Sequence, residues 1–191
     1  WEVLAFDYRG YGKSEGKIGR FRSDLDGFVD DGVTAIQWAN RRAKELGVPL
    51  VIFGQSLGGN LSLRALTAIE QEADQLRLVV IDSSFYSFTS IAREKLSDTW
   101  LTWPFQWAAY LLVSDHLSAG PRITAKPTLP PAIFLHSEAD PVVSNRQGLL
   151  LHEAYPAEKV RWTTAEPGHL NAMSDIKIRQ MLSERLKNLK L

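Results

Sequence analysis

Cysteine is absent from the chain. That excludes a disulfide framework, a thiolate nucleophile and any cysteine metal site, and leaves the compartment open, with the cytoplasm the favoured expectation. An excess of either charge is also missing: 22 Lys and Arg balance 22 Asp and Glu. No net field therefore draws the chain to nucleic acid or to an anionic membrane. No run approaches the roughly 18 apolar residues of a membrane span, and no secretory leader is visible. The first residue is Trp1 rather than methionine, which leaves room for a missing natural start and a lost targeting segment. Histidine is scarce, with four in 191 residues, so the search for a general base is short.

What is present is an ordinary globular composition, 45% apolar and 23% charged, long enough for one domain over residues 1–191. Internal repeats and low-complexity tracts are absent. Short apolar runs alternate with longer amphipathic ones. Val3 to Phe6 reads as a strand, Asp30 to Leu46 as a helix stopped by Gly47, and Leu50 to Phe53 as the second strand. Leu61 to Ile69 falls in a helix, Leu78 to Ile81 in a third strand, and Ile133 to Leu135 in a fourth. Ser144 to Tyr155 reads as a helix, with Ser144 and Gln147 at capping-box spacing. Val160 to Thr163 is a fifth strand and Ser174 to Leu189 a closing helix. Strands apolar on both faces and separated by helices predict an α/β fold, a mostly parallel sheet covered on both sides. In such sheets chemistry gathers beyond the carboxyl ends of the strands.

Residues 85–131 break this rhythm as an insertion about twice the length of a normal crossover. Trp100, Trp103, Trp107 and Tyr110 are spaced 3, 4 and 3, one face of a helix that Pro104 interrupts or restarts. The favoured expectation is that this stripe packs the insertion onto the body. A cap that walls the site and meets an apolar substrate group is the functional reading, and a membrane-surface role is a third, disfavoured because the segment lacks a basic face.

Gly54-Gln55-Ser56-Leu57-Gly58 matches Gly-x-Ser-x-Gly, with a strand-like run before it and a helix-compatible run, Asn60 to Ile69, after it. That context predicts a nucleophile elbow with Ser56 at its apex. Gly54 and Gly58 are expected to relieve crowding at the turn, with Gly59 adding room. A serine hydroxyl needs a base, and the base needs an orienting acid. His169, in the turn-prone Glu166-Pro167-Gly168-His169 after the last strand, is the expected base. His116, His136 and His152 read as packing or surface residues. Asp140, after the fourth strand, is the expected acid, with Asp82 its competitor and Glu138 a weaker third. Tyr8, Arg9, Tyr11 and Gln55 are candidates for pocket lining. The glycines at 10, 12 and 16 lack the Gly-x-Gly-x-x-Gly spacing of a phosphate cradle.

Taken together, Phe6-Asp7-Tyr8-Arg9-Gly10-Tyr11-Gly12-Lys13-Ser14, the elbow with Gly59, Asp82-Ser83-Ser84-Phe85, Asp140-Pro141-Val142-Val143 and Gly168-His169 resemble the α/β-hydrolases, in the branch of serine-aminopeptidase-like and ABHD-type enzymes. The resemblance implies Ser56 as nucleophile, Asp140 as acid, His169 as base and the Leu57 backbone N–H as an oxyanion donor, with no metal and no cofactor. It also implies a serine hydrolase of an ester, thioester or small amide, with a small-molecule acyl substrate. Ser137 and Ser144 stand where the family often has Gly and Pro. In the family the Asp7 segment follows the fourth sheet strand, here Val3 to Phe6. The strands before it, among them the third, which would lie between Val3 to Phe6 and the elbow strand, and the His-Gly loop with the second oxyanion donor have no counterpart here. One absent donor costs about 2.7–4 kcal/mol of transition-state stabilisation, so weak activity or none is expected of the chain alone. A trimmed chain, a short gene product, or a homo-oligomer in which another copy completes the sheet would each account for this. Two rival functions follow: a non-catalytic binding protein of the same fold, and an enzyme acting on peptide N-termini.

Overall fold

The computed structural model describes residues 2–16, 22–69, 73–126 and 128–189. Three runs rich in Val, Ile, Leu and Phe form the strands β1 (Leu50–Gln55), β2 (Leu76–Asp82) and β3 (Ala132–Ser137), and a run with Val, Trp and Thr forms β4 (Lys159–Thr164). They pair in the order β1-β2-β3-β4, every pair parallel. The connections are helical: α1 (Arg22–Leu46) leads into β1, α2 (Leu57–Ala68) follows it, α6 (Asn145–Ala154) joins β3 to β4, and α7 (Ile176–Lys187) closes the described chain. Between β2 and β3 lie α3 (Phe88–Ser97) and two single-turn helices, α4 (Ala109–Leu112) and α5 (Gly120–Ile123).

Side chains of a strand alternate between faces, and β2 and β3 bury both. Val79, Ile81, Ala132 and Phe134 face one core with Ile36 of α1, Leu63 and Leu66 of α2 and Leu151 of α6. Leu78, Val80, Ile133 and Leu135 face a second core with Ile178 and Leu182 of α7. Helices therefore cover both faces, as the apolar strands predict. The register aligns Gln55 with Asp82, and Ser137 with Thr164, so the carboxyl ends of the strands share one rim.

Three expectations are corrected. Val3 to Phe6 is not a strand, and Val3 is 84% exposed. A strand needs a neighbour for its N–H and C=O groups, and among the described residues β1 pairs only with β2. Side chains hold the segment instead: Arg9 to Asp31, Glu2 to Arg42, and Phe6 edge-on to Tyr8. The aromatic stripe, second, does not pack onto the body. Trp100, Trp103, Trp107 and Tyr110 are all exposed, and residues 103–108 form a tighter 3₁₀ turn with Pro104 at its start. The 3-4-3 spacing is helical arithmetic, and such arithmetic does not say which neighbour receives the face. Third, Ser144 precedes α6 but its hydroxyl makes no cap bond. Gln147 turns instead to Glu94, to which it donates, and to Ser90, from which it accepts. The reciprocal capping box forms at Ser87 and Ser90, opening α3.

Candidate active site

β1 delivers the chain to Ser56, whose φ of 49° and ψ of −121° turn it sharply into α2. The turn brings Gly54 against Gly59: a Cβ on Gly54 would lie 2.7 Å from the Gly59 Cα, and one on Gly59 would lie 3.0 Å from the Ser84 Cβ. Gly58 differs from expectation, since a Cβ there meets nothing within 4 Å. The crowding is between Gly54 and Gly59, where the helix start folds back on the strand. Gly54→Ala is expected to destabilise the chain by about 1–3 kcal/mol, because backbone atoms cannot swing aside. Gly58→Ala is expected to be neutral or slightly stabilising through better helix propensity. Thermal melts of the two variants check the contrast.

β3 and β4 supply the partners. Past β4, the turn through Gly168 carries His169 over the rim, with its Nε2 at 3.0 Å from the Ser56 Oγ and its Nδ1 at 2.8 Å from the Asp140 Oδ2. The Asp140 side chain is fully buried, and its Oδ1 accepts from the backbone N–H groups of Val142 and Val143 at 2.8 and 2.9 Å. A carboxylate only accepts, so Nδ1 carries the imidazole proton and the Nε2 lone pair faces the serine hydroxyl. Ser137 joins the two loops by donating to the Glu166 carbonyl oxygen at 2.5 Å.

The other candidates stand elsewhere. Asp82 is fully buried and accepts from Gln55 and Ser83 at 3.2 and 3.1 Å; burial pushes its pKa up. Glu138 accepts from Thr163 at 3.0 Å on the exposed side of β4. Gln55 is thus engaged with Asp82. Arg9 is committed to Asp31 through its backbone N–H and its guanidinium, which holds the Asp31 carboxyl below the usual range. Tyr8 and Tyr11 both meet Phe28 of α1, and Tyr11 is exposed. His116 faces Asp26, and His152 stands edge-on to Phe134. Among the described residues, no group of three or more His, Asp and Glu side chains is placed to hold a metal, and no helix is long and apolar enough to cross a membrane.

His136 lies beside Asp140, donating from Nε2 to the Val143 carbonyl at 2.9 Å and standing 3.7 Å from the Asp140 Oδ2. Burial pushes its pKa down, Arg161 adds to this, and the Asp140 and Asp82 carboxylates oppose it. A lowered folded pKa means that the unfolded chain takes up the proton first. The stability His136 contributes is therefore present above the ordinary imidazole pKa of about 6.5 and is lost as pH falls below it. Urea titrations at neutral and mildly acidic pH are expected to show a smaller acid-induced loss in His136→Gln than in the wild type.

Sequence reasoning placed Ser83 and Ser84 in the Asp82-Ser83-Ser84-Phe85 motif but gave them no role; both are fully buried just past β2 at this rim. The available signal was an unbroken apolar run followed by three polar residues.

With this geometry in view, the relatives can be placed. Residues 1–117 match the family model described as "Serine aminopeptidase, S33". An uncharacterized protein of Salmonella typhimurium, YfhR, is 32% identical over 179 residues, which cover 90% of this chain and 56% of that protein. The chain thus spans about half the length of the curated relatives it matches. Among solved structures, an esterase of Pyrococcus furiosus superposes with a TM-score of 0.63 at 18% identity, covering 97% of this chain and 69% of that one. A monoacylglycerol lipase of Paleococcus ferrophilus gives 0.57 at 19% identity, covering 96% and 82%. The parallel sheet, the helices on its two faces and the family match agree: the chain belongs to the serine aminopeptidase S33 family and has the α/β-hydrolase fold.

Proposed function

We propose that the protein is a serine hydrolase that cleaves a carboxylic ester, thioester or small amide through an acyl-enzyme. The observation that carries this is the unbroken chain of contacts from the Ser56 Oγ to the His169 imidazole, 3.0 Å, and on to the Asp140 carboxylate, 2.8 Å. In this reading Ser56 attacks the substrate carbonyl as His169 Nε2 takes its proton. Asp140 fixes the tautomer and stabilises the imidazolium. The Leu57 N–H, first in α2 and free of an intrahelical acceptor by position, donates to the oxyanion. His169 then returns its proton to the leaving group and activates the water that releases the acid.

Esters are put first because the fold's neighbours include proteins titled esterase and monoacylglycerol lipase. Residues 85–131 are assigned as the cap of one hydrolase domain. Support comes from α3, whose Lys95 donates to the Pro141 carbonyl at 3.1 Å, one residue from the acid. Turnover of p-nitrophenyl esters from acetate to decanoate tests the reading. Hydrolysis above that of a His169→Ala variant is expected. A wild type that neither turns these over nor reacts with a fluorophosphonate would instead be a binding protein on a hydrolase fold.

A further inference from the structure

β2 is apolar from Leu78 to Ile81 and ends in Asp82, with Ser83 and Ser84 directly after it, all three at most 1% exposed. Three buried polar residues in a row demand partners, and their bonds lead to both ends of the proposed Ser56–His169 pair. On the serine side, the Asp82 carbonyl accepts from the Ser56 N–H at 2.9 Å, and the Ser84 hydroxyl donates to the Ser56 carbonyl at 2.8 Å. Both backbone polar groups of Ser56 are thus held. On the histidine side, the Ser83 Oγ accepts from the N–H of Leu170, the residue after His169, at 3.2 Å. The same hydroxyl donates to the Asp82 Oδ1 at 3.1 Å, and the Ser83 N–H anchors to the Leu135 carbonyl at 2.9 Å.

The backbone gives a second, independent sign. Ser56, Ser83 and Leu170, with φ of 49°, 51° and 62°, are the non-glycine residues with positive φ among those described. Such conformations persist only where the surroundings enforce them. Here all three meet at one tripeptide, which bonds to Ser56 on one side and to Leu170 on the other.

We infer that Ser83, oriented by Asp82, is a positioning residue for the reaction: its hydroxyl fixes the Leu170 amide and so sets where the His169 imidazole stands relative to Ser56. The inference rests on the proposed roles of Ser56 and His169. The carboxylate has a specific task. A lone serine hydroxyl rotates freely, but donating its hydrogen bond to Asp82 leaves its lone pairs facing the Leu170 N–H. What the device needs is an acceptor at position 82, not a charge. This separates Asp82 from Asp140, which contacts the imidazole itself.

The test is ester hydrolysis by the full chain with Ser83→Gly, Asp82→Asn and Asp82→Ala, alongside thermal melts. Ser83→Gly relieves the positive φ but leaves the Leu170 N–H and the Asp82 Oδ1 short of a partner, so its melting temperature is expected to fall modestly while the protein stays folded. Its kcat is expected to fall about 10- to 100-fold with KM unchanged, the effect of a small misplacement of a reacting group. Asp82→Asn still accepts the Ser83 proton through its Oδ1, while the Gln55 amide turns to meet the new donor, and should stay within a few-fold of wild-type kcat. Asp82→Ala should approach the Ser83→Gly rate. A folded Ser83→Gly with wild-type kcat overturns the positioning role while leaving the reading of Ser56 and His169 intact. A wild type inert to esters and unlabelled at Ser56 overturns both.

Discussion

Ser56→Ala is expected to lower kcat for ester hydrolysis by about 10⁴- to 10⁶-fold, with the fold unchanged. The hydroxyl is the atom that would bond to the substrate carbon, and no other hydroxyl is bonded to the His169 Nε2 among the described residues. Removing it leaves the proposed oxyanion donor, the Leu57 N–H, with no atom to form the acyl intermediate. Stability should change little, because alanine carries the same Cβ into the same turn at φ 49°, and the Ser56 backbone bonds to Asp82 and Ser84 do not use the side chain. Initial rates on a p-nitrophenyl ester, with a melting curve for each protein, check both halves. A variant within tenfold of wild type would remove Ser56 from the mechanism.

Asp140→Asn is expected to lower kcat by about 10⁴-fold through the imidazole tautomer rather than through charge alone. Three groups bond this side chain: two backbone N–H groups and the His169 imidazole. Its Oδ1 accepts two backbone N–H bonds, from Val142 and Val143. An asparagine must keep its carbonyl oxygen there, since its amide nitrogen would face two donors. The nitrogen then points at the His169 Nδ1, now 2.8 Å from a carboxylate oxygen. To accept from it, Nδ1 must give up its proton, and Nε2 must carry one. The Nε2 lone pair that faced Ser56 is lost, and the serine proton has nowhere to go. KM should hold while kcat collapses. The matching change at Asp82 should cost at most a few-fold, because that carboxylate bonds Gln55 and Ser83 rather than the imidazole. If the two asparagine variants exchanged behaviour, Asp82 would be the acid.

The parts of this molecule legible in the amino-acid sequence are those set by local pattern. Each of the strands β1 to β4 has its ends within two residues of the apolar run that predicts it, because such runs bounded by polar turns fix a strand's place locally. The elbow was legible because strand, Gly-x-Ser-x-Gly and helix occur in one continuous stretch. His169 and Asp140 could be nominated because so few histidines exist and because each follows a strand, although distances between them are a property of the sheet register. What failed needed a partner that no local pattern names. Val3 to Phe6 has strand composition but no neighbour among the described residues. The Trp100 to Tyr110 stripe has helical spacing but points outward. Gln147 has capping-box spacing, yet a tertiary contact to Ser90 and Glu94 outbids the cap. Ser83 stands in a motif that gives it no role, because two of its three partners, Leu135 and Leu170, are distant along the chain and no local pattern names them.

The most direct test of the central claim is peptide mass spectrometry of the wild-type chain after treatment with a fluorophosphonate. The contacts from Ser56 through His169 to Asp140 predict one adduct, on Ser56, that is strongly diminished in His169→Ala. An adduct on Ser83 or Ser84 instead, or a Ser56 that stays unmodified while the protein remains folded, would contradict it.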